Sequence, residues 1–210
     1  MEVDLCFAMD CTGSMSGHIE GAKNCIKEVA ERMAKMEPAI KIRVGFCGYR
    51  DHCDNHNRLQ IFDFTNSCDE FKNNVSTVSA MGGGDTPEDV LGGLNAAVHS
   101  MSWRNPKRVL FHICDCPPHG RRFHNSDDSY PDGDPNGLTA EHVLGEMRSA
   151  GIDYFFGKIT YLTETMIRIF QGIIGEYPVF DLTTARPDDL VQKFIEAACS
   201  AIITAVTLRE

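Results

Sequence analysis

The sequence lacks the features that mark membrane-spanning, secreted and nucleic-acid-binding chains. It contains no run of 18 or more apolar residues, the length expected of a membrane-spanning helix. No positively charged segment followed by a short apolar stretch opens the chain, so no signal peptide is expected. Lys and Arg number 20 against 30 Asp and Glu, which gives a formal net charge of −10. Because nucleic acids and anionic membranes attract clustered Lys and Arg, this balance argues against both partners and suits a protein that holds cations.

Motifs of nucleotide-dependent enzymes are also missing. There is no phosphate-binding GxxxxGK[ST] loop, and no kinase glycine-rich loop with its downstream catalytic motifs. We find no internal repeat, linker or low-complexity segment. With roughly 150 residues as the prior for one domain, the 210 residues are expected to form a single domain over 1–210. Because the first strand is predicted to start at about residue 3, we also consider that this domain belongs to a longer protein.

The cysteines indicate a reducing environment. There are nine of them, an odd number, and several lie inside apolar runs (Cys6, Cys47, Cys114 and Cys199). A reduced cysteine in such a run behaves as a small hydrophobic residue. Disulfides persist mainly in oxidising compartments, so the pattern predicts a cytoplasmic protein.

The hydrophobic pattern predicts an α/β fold. Apolar runs predict six strands, at residues 3–9, 39–49, 59–64, 108–114, 154–159 and 177–182. Apolar residues at three- and four-residue steps predict helices at 17–36, 68–78, 87–101, 138–150, 164–171 and 187–206. The alternation predicts a doubly wound, Rossmann-like, mostly parallel six-stranded sheet with helices on both faces. The polar loop 50–57 is too short for a crossover helix, so strand 59–64 is predicted to be an antiparallel edge strand.

The most informative stretch is the first apolar run, which ends at Asp10 and is followed at alternate positions by Thr12 and Ser14. In an open α/β sheet, ligands bind beyond the carboxyl ends of the strands, where helix N-termini point. Oxygen ligands alone suit a hard divalent cation such as Mg²⁺. As an isolated match, however, the same three residues would fit a helix N-cap equally well.

Two further segments offer oxygen ligands at matching places. Asp115 follows strand 108–114 as Asp10 follows strand 3–9, and Thr86 follows the glycines 82–84, which let a loop approach a ligand closely. Pro87 and Glu88 are interpreted here as the start of the next helix, since Pro fits the first turn and an acidic residue suits the positive helix end. The five residues predicted to form a metal site are Asp10, Thr12, Ser14, Thr86 and Asp115.

These three segments, in this order, resemble the metal-ion-dependent adhesion site of von Willebrand factor A-type domains. The resemblance covers the whole chain, including the antiparallel third strand and the long final helix. Three stretches resemble in particular the branch of the family found beside alpha-type protein kinases: Gly-Tyr-Arg-Asp-His at 48–52, Gly-Gly-Gly-Asp-Thr-Pro-Glu-Asp-Val at 82–90 and Asp-Cys-Pro-Pro-His-Gly at 115–120.

The resemblance implies a binding module and not an enzyme. Thr12 and Ser14 would ligate Mg²⁺ or Mn²⁺ directly, Asp10 and Asp115 would act largely through water, and Thr86 directly or through water. An Asp or Glu carboxylate from a partner protein would complete the shell, and the last helix, 187–206, would be able to shift when ligand binds. Thr12 stands where many members have serine, but the hydroxyl is kept. If the parent protein carries a kinase, the domain would serve in targeting or regulation.

Other interpretations stay open at this stage. A haloacid-dehalogenase-like, Mg²⁺-dependent phosphatase would use Asp10 as nucleophile, but needs a second acid at the position of Thr12. A scaffold that keeps the fold without metal would not need the intact set of oxygen ligands. Two groups of Cys and His could suggest zinc if their loops meet: Cys114 and Cys116 with His112, His119 and His124, and Cys47 and Cys53 with His52 and His56. Residues 132–137 copy the start of a calcium loop without its twelfth-position acid, and fit a surface turn better.

Overall fold

A six-stranded sheet forms the centre of the molecule. The computed structural model describes residues 1–183 and 186–208. The strands lie in the order β3-β2-β1-β4-β5-β6; their bounds are β1 (Glu2–Asp10), β2 (Lys41–Tyr49), β3 (Leu59–Thr65), β4 (Lys107–Cys114), β5 (Ile152–Lys158) and β6 (Val179–Asp181). Only β3 runs antiparallel among these described strands. The prediction of a mostly parallel sheet with an antiparallel edge strand is therefore confirmed.

Helices cover both faces of the sheet, as predicted. They are α1 (Ser16–Ala34), α2 (Cys68–Val75), α3 (Val90–His99), α4 (Ala140–Ser149), α5 (Glu164–Ile174) and α6 (Pro187–Thr207). α1, α2 and α6 share one hydrophobic core with alternate residues of β1, among them Phe7 and Met9. α3, α4 and α5 share the other core, to which β1 contributes Cys6 and Ala8. Successive side chains of a strand point to opposite faces, so β1 is buried on both sides.

The last helix, α6, is long and apolar enough to cross a membrane by length and composition, with a mean hydropathy of 1.4. In this fold it packs along α1, and Phe194, Ala198 and Ile202 are buried in the core that the two helices share. Gly21 of α1 makes the close approach possible, because a Cβ there would lie 2.9 Å from the Phe194 ring. The buried core helix of a soluble domain has the same composition, so α6 is weak evidence of a membrane span.

One predicted helix boundary is wrong, and the difference matters for the site. The helix predicted at 87–101 begins at Val90, so Pro87 and Glu88 lie before it and not in its first turn. Asp89 is the N-cap, and its carboxylate accepts a hydrogen bond from Gly92 N at 3.0 Å. Glu88 is held by backbone pairing instead, with its N–H donating to the carbonyl of Pro117 at 3.0 Å. The Glu88 side chain therefore does not serve the helix start.

Candidate metal centre

Asp10 and Asp115 lie together at the centre of the sheet. Asp10 is the last residue of β1, and Asp115 directly follows β4, the strand paired in parallel with β1. The chain leaves β1 toward β2 on one side and later returns to place β4 on the other, so this is where the strand order reverses. Such switch points are the usual ligand sites of open α/β sheets, because loops diverge there and leave a crevice.

The first of the three segments, residues 10–14, is folded around the Asp10 carboxylate, and Asp115 belongs to the third. Oδ1 of Asp10 accepts hydrogen bonds from the backbone N–H of Thr12 at 2.8 Å and from the Thr12 hydroxyl at 2.6 Å. Both side chains are buried, whereas Ser14 is exposed. The Ser14 hydroxyl donates to Oδ2 of Asp115, which joins the first motif to the third. Four of the five predicted residues therefore meet at one place.

The glycine-rich loop comes next to these residues, and Thr86 is carried on it. The N–H of Met81 donates to the carbonyl of Cys11 at 3.1 Å. A Cβ on Gly83 would lie 3.3 Å from the Thr12 methyl, and its φ of +83° also favours glycine. Thr86 is partly exposed, and within the described residues no hydrogen bond joins its hydroxyl to the other four predicted residues. The structure therefore brings the loop of Thr86 next to the other four residues, but in the described part of the chain it shows no hydrogen bond between them and Thr86 itself.

Glu88 is the site residue that the sequence interpretation missed. Its side chain is 4% exposed, and Oε2 has no hydrogen-bond partner among the described residues. Burial raises the pKa of Glu88 to about 10, with further contributions from the charges of Asp10, Asp51 and Asp115. The glutamate therefore faces the same acidic space as the two aspartates. The available signal was an acidic residue directly after proline in a glycine-rich loop.

Among the described residues, three buried carboxylate oxygens at this centre lack a hydrogen-bond donor: Oδ2 of Asp10, Oδ1 of Asp115 and Oε2 of Glu88. Burial raises the pKa of Asp10, and the neighbouring Asp115 charge raises it further. An unpaired buried carboxylate is costly, and three together repel one another. A hard divalent cation would offset this charge with the ligand type it prefers, so the donor set fits Mg²⁺ or Mn²⁺. Among the described residues the three carboxylates do not form a group whose ligand atoms all lie within 4.8 Å of one another, so at least one of them would act through water.

The histidines and cysteines do not form the two zinc groups considered above. His112 is fully buried between two tyrosine hydroxyls, at 2.7 Å from Tyr49 and 2.6 Å from Tyr154, and burial lowers its pKa to about 3. Cys47 and Cys114 are buried in the hydrophobic core that α3, α4 and α5 share. Within the described part of the chain, the groups of side chains close enough to hold a metal contain His and Asp but no Cys.

The fold and the first motif define the class of the protein. Residues 4–127, more than half of the chain, match the sequence model of the von Willebrand factor A domain. The chain therefore belongs to the von Willebrand factor A domain family. Over 172 residues it is 44% identical to the alpha-protein kinase vwkA of Dictyostelium discoideum. That match covers 80% of this chain and 27% of the relative, so the chain spans about a quarter of the relative's length.

Solved structures show the same fold at low sequence identity. Proximal thread matrix protein 1 of the mussel byssus aligns with a TM-score of 0.62 and 16% identity, over 96% of this chain and 46% of that one. A form of that protein with a zinc-occupied adhesion motif aligns with a TM-score of 0.59 and 17% identity, over the same shares. The pilus adhesin SpaC of Lactobacillus rhamnosus GG aligns with a TM-score of 0.59 and 16% identity, over 95% of this chain and 30% of that one.

Proposed function

We propose that this domain binds a partner protein through a divalent cation, Mg²⁺ or Mn²⁺, held at the carboxyl ends of β1 and β4. The observation that carries the proposal is the set of three buried carboxylate oxygens, on Asp10, Glu88 and Asp115, that have no donor in the part of the chain that the structure describes. Thr12 and Ser14 would offer hydroxyl ligands, and Thr86 would reach the cation from the loop above. The cation would supply a positive, electrophilic centre that attracts an Asp or Glu carboxylate of the partner.

The rim of the centre supports docking of a protein surface. Tyr161 is 76% exposed in the loop after β5, and Met81 is 43% exposed at the start of the glycine-rich loop. The Tyr161 loop is held to the centre, because the hydroxyl of the preceding Thr160 donates to the carbonyl of Asp115 at 2.6 Å. Large amphipathic side chains around a charged contact are typical of interface anchors. We therefore place the partner's contact between these two side chains.

A role in binding fits the chemistry better than catalysis. A phosphatase of the haloacid-dehalogenase type would need an acid at the position of Thr12, and the Thr12 hydroxyl donates to Asp10 instead. In a longer kinase-containing protein such as the Dictyostelium relative, the domain would target or regulate the kinase. Its cysteines are free among the described residues, in keeping with a cytoplasmic location.

The linkage between metal and carboxylate provides the test. Free Mn²⁺ is measured by electron paramagnetic resonance during titration of the protein, with and without excess acetate as the carboxylate probe at equal ionic strength. If acetate completes the metal shell, it must tighten Mn²⁺ binding by the same factor by which Mn²⁺ tightens acetate binding. We expect a several-fold lower Kd for Mn²⁺ with acetate in the wild type, and weak binding in Asp10→Asn. An equal Kd for Mn²⁺ with and without acetate would contradict the adhesion function. Absence of Mn²⁺ binding by the wild type would contradict the metal centre.

A further inference from the structure

A second group of metal-ligand side chains lies beside the first centre, at a place where three loops meet. His52 comes from the short 3-10 helix His52–Asn57 after β2, Asp89 caps α3, and Asp134 lies in the long loop between β4 and α4. Their side chains are 9%, 1% and 4% exposed, respectively. None of the three belongs to the predicted Asp10 centre.

His52 points an unpartnered nitrogen at both carboxylates. Its Nε2 lies 3.3 Å from Oδ1 of Asp89 and 3.3 Å from Oδ1 of Asp134. The nitrogen is buried, and it has no hydrogen-bond partner of acceptable geometry among the described residues. A buried ring nitrogen placed between two carboxylates without a hydrogen bond to either is a position that a metal ion would satisfy.

The spacing matches a tetrahedral site. Ligand atoms about 2.0–2.1 Å from a tetrahedral zinc ion are separated by roughly 3.3–3.4 Å. The two His52-to-carboxylate distances are both 3.3 Å, and all three ligand atoms lie within 4.8 Å of one another. One imidazole and two carboxylates leave the fourth position for water, as in open zinc sites.

Neighbouring groups orient the two carboxylates toward His52. Oδ2 of Asp134 accepts from the backbone N–H groups of Asn136 at 2.9 Å and Leu138 at 3.0 Å, which leaves Oδ1 for His52. Oδ2 of Asp89 is held by Arg58, an ion pair that also offsets part of the negative charge. Hydrogen bonds of this kind commonly fix the ligands of a metal site in place.

His119, which is also close, is not available as a ligand. Its Nε2 lies 2.7 Å from Oδ1 of Asp51, and its Nδ1 lies 2.6 Å from Oδ1 of Asp128. Both ring nitrogens are thus engaged by carboxylates, and a metal would have to displace one of them. The alternative groups that include His119 are therefore weaker candidates than the His52 group.

We propose that His52, Asp89 and Asp134 form a second metal site, which takes Zn²⁺ with one water ligand. Zinc suits this set because imidazole is among its preferred ligands and because it accepts four-coordinate N and O geometry. The site brings together the loop after β2, the start of α3 and the long loop 115–139, so zinc would fix these loops around the Asp10 centre. Asp89 directly follows Glu88, which links the second site to the first.

The test is a titration of the chelator-treated full chain with Zn²⁺, followed by Co²⁺ as a spectroscopic probe. In the Asp10→Asn background, which removes the first centre, we expect one Zn²⁺ equivalent to remain. His52→Ala and Asp134→Asn should each weaken it by at least about 100-fold, since loss of even an outer-shell partner costs 10–100-fold. His56→Ala, a change of an exposed histidine in the same turn, should leave it unchanged. Co²⁺ in this site should give the intense visible absorption of tetrahedral coordination.

Controls separate this site from its alternatives. Circular dichroism establishes that each variant is folded, and Asp134→Asn keeps the side-chain size if His52→Ala does not fold. Cys53→Ser should retain the zinc; if it loses zinc while His52→Ala keeps it, a thiolate site replaces the one proposed. If the Asp10→Asn chain binds no zinc, the proposal is wrong.

Discussion

Ser14 donates a hydrogen bond through its hydroxyl to Oδ2 of Asp115, and this contact joins residues that lie far apart in sequence. It places a hydroxyl from the short turn before α1 against the carboxylate that directly follows β4. The other oxygen of this carboxylate, Oδ1, has no donor within residues 1–183 and 186–208. The segment 10–14 and Asp115 are therefore held together by the fold itself. A cation would complete this arrangement.

Thr12 should be required for its hydroxyl and not for its size. Thr12→Val keeps the shape but removes the hydroxyl donor of the buried Asp10 carboxylate and leaves only the backbone N–H. We therefore expect a loss of about 1–3 kcal/mol in unfolding free energy and a marked loss of Mn²⁺ affinity. Thr12→Ser keeps the hydroxyl and should retain both. Thermal unfolding with Mn²⁺ and with EDTA measures both effects. Equal Mn²⁺ stabilisation of the valine variant and the wild type would exclude Thr12 as a ligand.

Glu88→Gln should change stability and metal binding in opposite directions. A pKa of about 10 means that Glu88 must take up a proton when the metal-free protein folds at pH 7. Gln removes this cost, so the metal-free protein should become more stable by about 1 kcal/mol or more. The same change removes an anionic ligand, so Mn²⁺ should bind at least about tenfold more weakly. Glu31→Gln, at an exposed position on α1, is the matched charge control. If Glu88→Gln leaves the Mn²⁺ affinity unaltered, Glu88 lies outside the metal shell.

His119 should make the folded state more stable at neutral pH than at alkaline pH. Burial disfavours its charged form, but Asp51 and Asp128 outweigh burial and raise the pKa to about 9 from an ordinary 6.5. A raised pKa gives stability that is complete below the unfolded pKa and is lost as pH rises through 9. Between pH 6.5 and 8.5 this loss should be roughly 2 kcal/mol.

Cysteine ionisation in the unfolded state also lowers the unfolding free energy toward alkaline pH. The contribution of His119 is therefore measured as the difference in unfolding free energy between the wild type and a His119 variant. Denaturant unfolding of wild type and His119→Asn across this pH range isolates it. The variant should be less stable at pH 6.5, and the gap should narrow by pH 8.5. Parallel pH profiles for the two proteins would show that His119 is not held as an imidazolium.

Asp4→Asn should cost about 3–5 kcal/mol of unfolding free energy, the usual penalty for breaking a buried ion pair. Asp4 is fully buried in β1, and its carboxylate accepts from Arg43 at 2.8 and 2.9 Å. The N–H groups of Arg104 and Asn105 also donate to it, at 2.7 and 2.9 Å. Urea unfolding measures the loss, and Asp127→Asn, an exposed position, should have little effect. A small loss for Asp4→Asn would mean that the amide keeps these contacts.

The sheet could be predicted because its strands are marked by composition and spacing. β1 stands out as an apolar run, and the short polar loop before β3 leaves no room for a crossover, which makes that strand antiparallel. Asp4 lies within this apolar run, and its carboxylate has a partner on β2, Arg43, that no local pattern identifies. Such contacts depend on which strands become neighbours, and that is decided by the whole chain.

The candidate centre was predictable only in part. Asp10, Thr12 and Ser14 stand at alternate positions of one short turn after β1, so their proximity could be predicted from the local sequence. Glu88 carried two opposite signals, because an acid after proline suits a helix start as well as a ligand site. The hydrogen bond from its backbone N–H to the carbonyl of Pro117 keeps Glu88 outside α3, and this contact joins residues far apart in sequence. For the same reason, the turn-like sequence around Asp134 gave no sign that its carboxylate meets His52.

An anomalous-scattering map from a crystal of the domain soaked with Mn²⁺ would show directly whether a cation binds at the Asp10 centre. We expect one strong manganese peak at the carboxyl ends of β1 and β4, in contact with the hydroxyls of Thr12 and Ser14 and facing Asp10, Glu88 and Asp115. The peak should be absent from crystals of Asp10→Asn soaked in the same way. A wild-type map without manganese at this place, or with manganese bound only elsewhere on the chain, would contradict the proposed metal centre.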